Sequence, residues 1–410
     1  MSEDTVTDEQ MFEGWGGMLD AINPIKVKLN VLLVAIPITL YVAYIAHDPM
    51  LTFVFSMVAI MPLAFLMGQA TEQIALRTSE SVGGLLNATF GNAAEMIIAG
   101  MAIFAAAEAY KNNDMSAGDD MVQIVRASLI GSILGNLLLV MGLAFVWGGI
   151  HHKEQRFSTT AVGANGSLLL LAVITLTMPT AYVFTMQDEG AAAEGVLGLS
   201  HAAAIILIGL YGLFLLFQLR THQELFATEG AHSHEAPQMS QREAIVLLLG
   251  ATVILGWMAE ILVHSIAEGA EELNLSPLFI GVILVPFFGN AAEHFTAVTV
   301  AKRDKMDLSF GIAVGSSTQI AVFVAPLMVL LAWLVGVDLS FEFGLFETIA
   351  VFLSVLIANA IASDGKSNWL EGAMLLGTYA IMAAAFLSLI HISAPTRPRL
   401  ISYAVFCLKK

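Results

Sequence analysis

One cysteine in 410 residues, Cys407, leaves the rest of the chain with no disulfide framework, no thiolate metal centre and no cysteine nucleophile. Charge is nearly as scarce. Only 12% of residues are charged, against about 25% in an ordinary soluble domain. Positive charge is the rarer sign, 17 basic residues against 34 acidic ones, for a net charge of -17. No basic patch gathers, which excludes nucleic acid as a partner. Neither a His-Glu-x-x-His nor a Gly-x-Ser-x-Gly motif occurs, so zinc-hydrolase and serine-hydrolase signatures are missing. The first residues are acidic and polar rather than basic and then apolar, so no cleavable signal peptide is expected.

What the chain has in quantity is apolar sequence, 57% of all residues, with a mean hydropathy of +0.79. A membrane-crossing helix needs about 20 mainly apolar residues. On that rule the runs are 29–46, 51–69, 82–107, 122–147, 160–178, 197–219, 244–266, 278–301, 308–335, 346–362 and one starting at Gly372. The pattern predicts an all-α polytopic protein of about eleven transmembrane helices in a lipid bilayer. The expected units are a cytosolic segment 1–28, an extra N-terminal helix 29–46, a first five-helix repeat 51–219, a cytosolic connection 220–241 and a second, inverted repeat 244–386. Residues 387–410 read as adapter-derived rather than natural sequence, and are set apart from the fold.

Lysine and arginine orient the chain. With the N-terminus inside, the inner segments collect Lys26, Lys28, Arg77, Lys153, Arg156, Arg220, Arg242, Lys302, Arg303, Lys305 and Lys366. The outer segments hold only Lys111 and Arg126, and Arg126 is expected to snorkel to the interface.

Phe90-Gly91-Asn92-Ala93-Ala94-Glu95 returns word for word as Phe288-Gly289-Asn290-Ala291-Ala292-Glu293. The copies fall in the third and eighth runs and so enter the membrane in opposite directions, as inverted repeats do. A charged side chain at the bilayer centre costs roughly 2.5–3.5 kcal/mol on insertion scales. Two such carboxylates point to a functional site for which the rest of the chain is the holder. Asn and Glu three apart share a helix face, and the preceding glycines permit a helix break. Pro286 removes a backbone donor in the second copy. Glu95, Glu293, Asn92 and Asn290 then offer a hard, all-oxygen set that suits calcium or another hard cation such as manganese, not zinc or copper.

A second polar set follows each copy. Gly131-Ser132-Ile133-Leu134-Gly135-Asn136 lies in one following run and Gly315-Ser316-Ser317-Thr318-Gln319 in the other. Aligning the glycines puts Ser132 opposite Ser316. Small and hydroxylated residues also serve plain helix packing, but beside the hexapeptides they are read as cavity-lining: Ser132, Asn136, Ser316, Ser317 and Gln319.

The doubled Gly-Asn-Ala-Ala-Glu, the preceding Leu86-Asn87-Ala88-Thr89 and the later Gly315-Ser316-Ser317-Thr318-Gln319 resemble the calcium/proton antiporters of the cation/calcium exchanger superfamily. The resemblance covers nearly all of the chain to about Phe386. It implies a secondary transporter rather than an enzyme, exchanging cytosolic calcium for external protons by alternating access. Glu95 and Glu293 would be the shared cation and proton site, Asn92 and Asn290 would stand beside them, and Gln319 would line the cavity. It implies no cofactor, with calcium and protons as substrates, and a prokaryotic plasma membrane as the location. Sodium/calcium exchange is the alternative within transport; an intramembrane hydrolase using the glutamates as acid and base, or a channel, comes from another class. The family's acidic helix between its halves is matched weakly, by Glu224, Glu229 and Glu235 among His222, His232 and His234.

Away from the repeats, Glu72, Glu260, His264 and Glu268 are candidates for an ion or proton path. Glu260 and His264, four apart, share a face and are placed to pair. Glu271 and Glu272 read as solvated helix-end charge, and the loop histidines as solvated rather than metal-bound.

Overall fold

The computed structural model describes residues 15–78, 80–186, 189–222 and 237–388. The hexapeptide runs are each broken at their asparagine, and the other apolar runs are continuous helices. In chain order the helices are α1 (Gly16–Ile22), α2 (Lys28–Ala46), α3 (Pro49–Ala75), α4 (Glu80–Phe90), α5 (Ala93–Lys111), α6 (Met115–His151), α7 (Thr159–Thr185) and α8 (Glu189–Leu216). The second half holds α9 (Gln241–Glu272), α10 (Pro277–Gly289), α11 (Ala291–Lys302), α12 (Met306–Val335), α13 (Leu345–Ala362) and α14 (Trp369–Ser388). Among the described residues ten helices are long and apolar enough to cross a membrane, and the bent pair α10–α11, taken as one span, makes eleven. The acidic connection, with Glu224, Glu229, Glu235, His232 and His234, lies outside the described residues, as do residues 1–14 and 389–410.

Large apolar side chains point outward around the bundle. Leu171, Leu213, Val253, Leu334 and Ile381 are all exposed. In water this would be a liability; in lipid it is the required surface, because backbone polar groups are satisfied inside the helices. The interior is packed by smaller contacts. At Gly269 of α9 a Cβ would sit 2.7 Å from the Cβ of Phe53, which shows how closely α9 lies on α3. The extra helix α2 joins this pair through Trp257, whose indole N–H donates to the Tyr44 hydroxyl at 3.1 Å.

On the face where α2 begins, here the N-terminal face, two ties hold the halves together. The Gln73 amide oxygen accepts from the backbone N–H groups of Gln238 and Met239 at 2.7 and 3.2 Å, and the Arg77 guanidinium donates to the Met239 carbonyl. Ser240 and Glu243 form a capping box that starts α9, and Glu243 also accepts from the Met18 N–H at 3.1 Å. The second tie is a two-residue sheet, β1 (Gln155–Arg156) against β2 (Lys366–Ser367). Gln155 is buried and donates to the Ala301 carbonyl and to Asp304 at 2.9 and 2.8 Å. Beside it Lys366 donates to Glu154 at 3.2 Å, and this bond holds the Glu154 carboxyl below its usual range.

On the opposite face the chain between α12 and α13 is tucked in as an extended, buried segment. Phe341 N–H donates to Ser200 Oγ and Phe343 N–H to Thr180 Oγ1, each at 2.9 Å. Arg126, expected to snorkel to the interface, reaches this connecting segment. Its guanidinium donates to the Glu342 carbonyl at 3.0 Å, while its Nε is buried without a partner.

Candidate cation site

Both copies of the hexapeptide break their helix at the same residue. Asn92 has φ -103° and ψ 24°, Asn290 φ -87° and ψ 19°. This is the sparsely allowed bridge region, where many functional residues sit. The helices restart at Ala93 and Ala291, so Glu95 and Glu293 fall in the first turn of α5 and α11. A helix N-terminus carries partial positive charge and free N–H groups, which favour a carboxylate there. The second break bends the span by 56°. Pro286, four residues before the break, has no N–H to give to the helix, and its own carbonyl accepts from Asn290 at 3.0 Å.

The second break packs against the helix that follows the first. A Cβ at Gly289 would lie 4.0 Å from Glu95 Cγ and 3.8 Å from Ile98 Cδ1. Glu95 thus lies alongside the second break, within electrostatic reach of Glu293. Glu95 is buried and Glu293 half-buried.

A chain of hydrogen bonds ties the first break to α12 and α6. Asn92 Nδ2 donates to Gln319 Oε1 at 2.6 Å. Ser316 Oγ donates to Asn92 Oδ1 at 2.9 Å, and Asn136 Nδ2 donates to Ser316 Oγ at 3.0 Å. Both α6 and α12 carry a π-helical turn at this level, over Gly135–Val140 and Ile320–Val324. Such turns re-aim side chains and cluster at functional sites. Ser132 is buried on α6, one turn before Asn136. Ser317 is buried too, but its hydroxyl donates to the Ala313 carbonyl of its own helix and does not join the chain.

The second break has no such support. Asn290 is fully buried, and neither Oδ1 nor Nδ2 of its side chain has a hydrogen-bond partner. Glu95 Oε1 and Asn136 Oδ1 are likewise buried and unpaired. Two groups that the sequence reading passed over share this condition: Gln69 Oε1 and His294 Nε2. Gln69 follows Gly68, whose Cβ position is 3.8 Å from Ala292. His294 rests its ring beside Phe287 and directly follows the second hexapeptide, where the first is followed by Met96. That departure from the repeat is the clue the sequence offered. An unpaired buried polar group costs about 1–3 kcal/mol, and several gathered at two helix breaks form an oxygen-rich set suited to a hard cation.

The remaining path candidates lie elsewhere. Glu72 is exposed near the N-terminal face on α3. Glu260, His264 and Glu268 follow one exposed face of α9 toward the opposite face. His264 meets Glu260 through the backbone carbonyl at 2.9 Å and not through its carboxylate, because the ring folds back along its own helix.

Each half of the chain also matches the profile of a protein family, described as sodium/calcium exchanger protein, over residues 49–220 and again over 243–388. A protein named Ca(2+)/H(+) antiporter from Aphanothece halophytica is 44% identical over 369 residues, covering 87% of this chain and 95% of that one. Another of the same name, from Synechocystis sp., is 42% identical over 372 residues, covering 87% and 96%. The crystal structure of a selenium-substituted Ca2+/H+ antiporter protein, YfkE, superposes with a TM-score of 0.72 at 36% identity, covering 89% of this chain and 99% of that one. With both halves matched to one profile and the fold shared with a solved exchanger, the chain belongs to the sodium/calcium exchanger protein family of membrane transporters.

Proposed function

We propose that this protein exchanges cytosolic calcium for external protons by alternating access, with Glu95 and Glu293 as the shared site and Asn92 and Asn290 beside them. The observation that carries the reading is the set of buried, unpaired groups at the second break, Asn290 above all. Two relatives named Ca(2+)/H(+) antiporter, similar over most of the chain, support the substrates. The chemistry is coherent. One divalent cation neutralises two carboxylates, and two protons neutralise them equally well. A site empty of both would carry bare charge through a low-dielectric passage and would turn over slowly. Desolvation thereby makes the exchange obligatory.

The test is calcium uptake into inverted vesicles with an acid interior, measured with and without sodium. Uptake that needs the proton gradient and ignores sodium is expected. Uptake driven by sodium alone would establish the sodium/calcium alternative, and uptake without either gradient would establish a channel. Protons and calcium compete for the same oxygens, so calcium affinity should fall as pH drops on the loading side. Raising calcium should move that transition to lower pH, as linkage requires of competing ligands. An affinity that stays flat from about pH 5 to pH 8, a span around the carboxylate-to-histidine range, would exclude a shared site.

A further inference from the structure

On the face away from the N-terminus, α6 and α10 touch backbone to backbone. A Cβ on Gly131 would collide with the Val282 carbonyl oxygen. A Cβ on Gly281 would lie 2.5 Å from Ala127 Cβ and 2.8 Å from the Ile124 carbonyl oxygen. No rotamer change relieves a clash with backbone, so this seam closes only with glycine at both places.

The repeat says where the matching seam belongs. Counting back nine residues from Asn290 and from Asn92 gives Gly281 and Gly83. Aligning Gly131 with Gly315 sets Ala127 against Gly311, and Val282 against Gly84. The second seam would therefore join α4 to α12 on the N-terminal face. It is not made in this structure. Among the described residues nothing lies within 4 Å of a Cβ placed on Gly311 or Gly315. Gly311 is exposed, and Gly83 rests against Ala75 at the end of α3 instead. Two glycines in a helix interior with open space around them weaken the helix for no local return. A state in which α4 lies on α12 accounts for both.

We propose that Gly83 and Gly315 form the seam that closes the N-terminal face of the site, made when the Gly131–Gly281 seam opens. This rests on the alternating-access reading above and names the contact that ends one of its two states.

Alanine tells the two positions apart. Position 311 corresponds to Ala127, which the closed seam already accepts, whereas position 315 corresponds to Gly131, which admits no Cβ. Both Gly311→Ala and Gly315→Ala should fold at least as well as the parent, because each methyl meets open space and alanine favours the helix. Gly311→Ala should transport calcium near the parent rate. Gly315→Ala should lose about ten-fold or more, as overpacking of a tight contact does, while purified protein still binds calcium. Leu308→Cys in a Cys407→Ser background reads the seam without transport, since Leu308 is 45% exposed here and corresponds to Ile124 of the closed seam. Adding Gly315→Ala should speed its labelling, and adding Gly311→Ala should not. Parental transport in Gly315→Ala, or equal losses in both variants, would overturn the seam. If the parent moves no calcium, the exchange reading fails by itself and the labelling contrast still decides the seam. Equal labelling of the two variants would overturn it.

Discussion

Replacing Asn92 by alanine strands the Ser316 hydroxyl and the Gln319 amide oxygen, both of which now use its amide. The buried Ser316 hydroxyl keeps the Asn136 bond but loses its acceptor, at a cost of about 1–3 kcal/mol, and the half-buried Gln319 oxygen loses less, so Asn92→Ala should unfold at a lower temperature. Asn290→Ala strands nothing, because that amide has no partner. Its stability should stay near the parent's while its calcium affinity drops by roughly 10-fold or more, the scale seen when groups around a metal are removed. Calorimetry with and without calcium separates the two outcomes. An equal fall in unfolding temperature for both would remove Asn290 from the site. Glu95→Gln and Glu293→Gln keep shape and lose the exchangeable charge. Each should insert and fold, yet fail to couple calcium to proton movement in vesicles; near-normal coupling in either would sink the shared site. Sequence alone singled out these four residues because the hexapeptide is duplicated. It passed over Gln69, which looks like the polar end of an apolar run, since only the packing of Gly68 on Ala292 reveals where it lies.

At the scale of elements, helix existence was legible, and Gly91, Gly289 and Pro286 announced that the hexapeptide runs are broken, but not the residue at which they break. Apolar runs marked the spans, but a run cannot report that Asn92 and Asn290 leave the helical region. Nor does any periodicity announce the π-helical turns of α6 and α12. The buried segment between α12 and α13 was equally hidden. It holds Phe341 and Phe343 through Ser200 and Thr180, hydroxyls 141 and 163 residues away. Thr180→Val keeps the shape of the side chain but leaves the Phe343 N–H buried and unpaired. The expected loss is about 1–3 kcal/mol, readable as a lower unfolding temperature with calcium affinity intact. Unchanged stability would mean that the segment is held by its phenylalanines alone.

For the molecule as a whole, orientation is the outstanding expectation, and charge argues for it. Lysine and arginine collect on the face where α2 begins. Single cysteines at Gly190 and Ala231, in a Cys407→Ser background, should therefore report opposite sides. An impermeant reagent on intact cells should label Gly190→Cys and spare Ala231→Cys; the reverse pattern would invert the molecule. The halves themselves are joined late. Glu154, next to β1, meets Lys366 of β2 across 212 residues, and Gln155 reaches forward 146 residues to the Ala301 carbonyl. At about 5–20 residues per second, a ribosome needs roughly 10–40 s to supply the second strand after the first. Through that interval the first half stands in the membrane with its strand edge bare, and the Gln155 amide waits for its acceptors until Ala301 and Asp304 are made. The strap can be fastened only once Lys366 has been made, so a chain stopped before it keeps the Gln73 tie but leaves the ribosome with this second latch open.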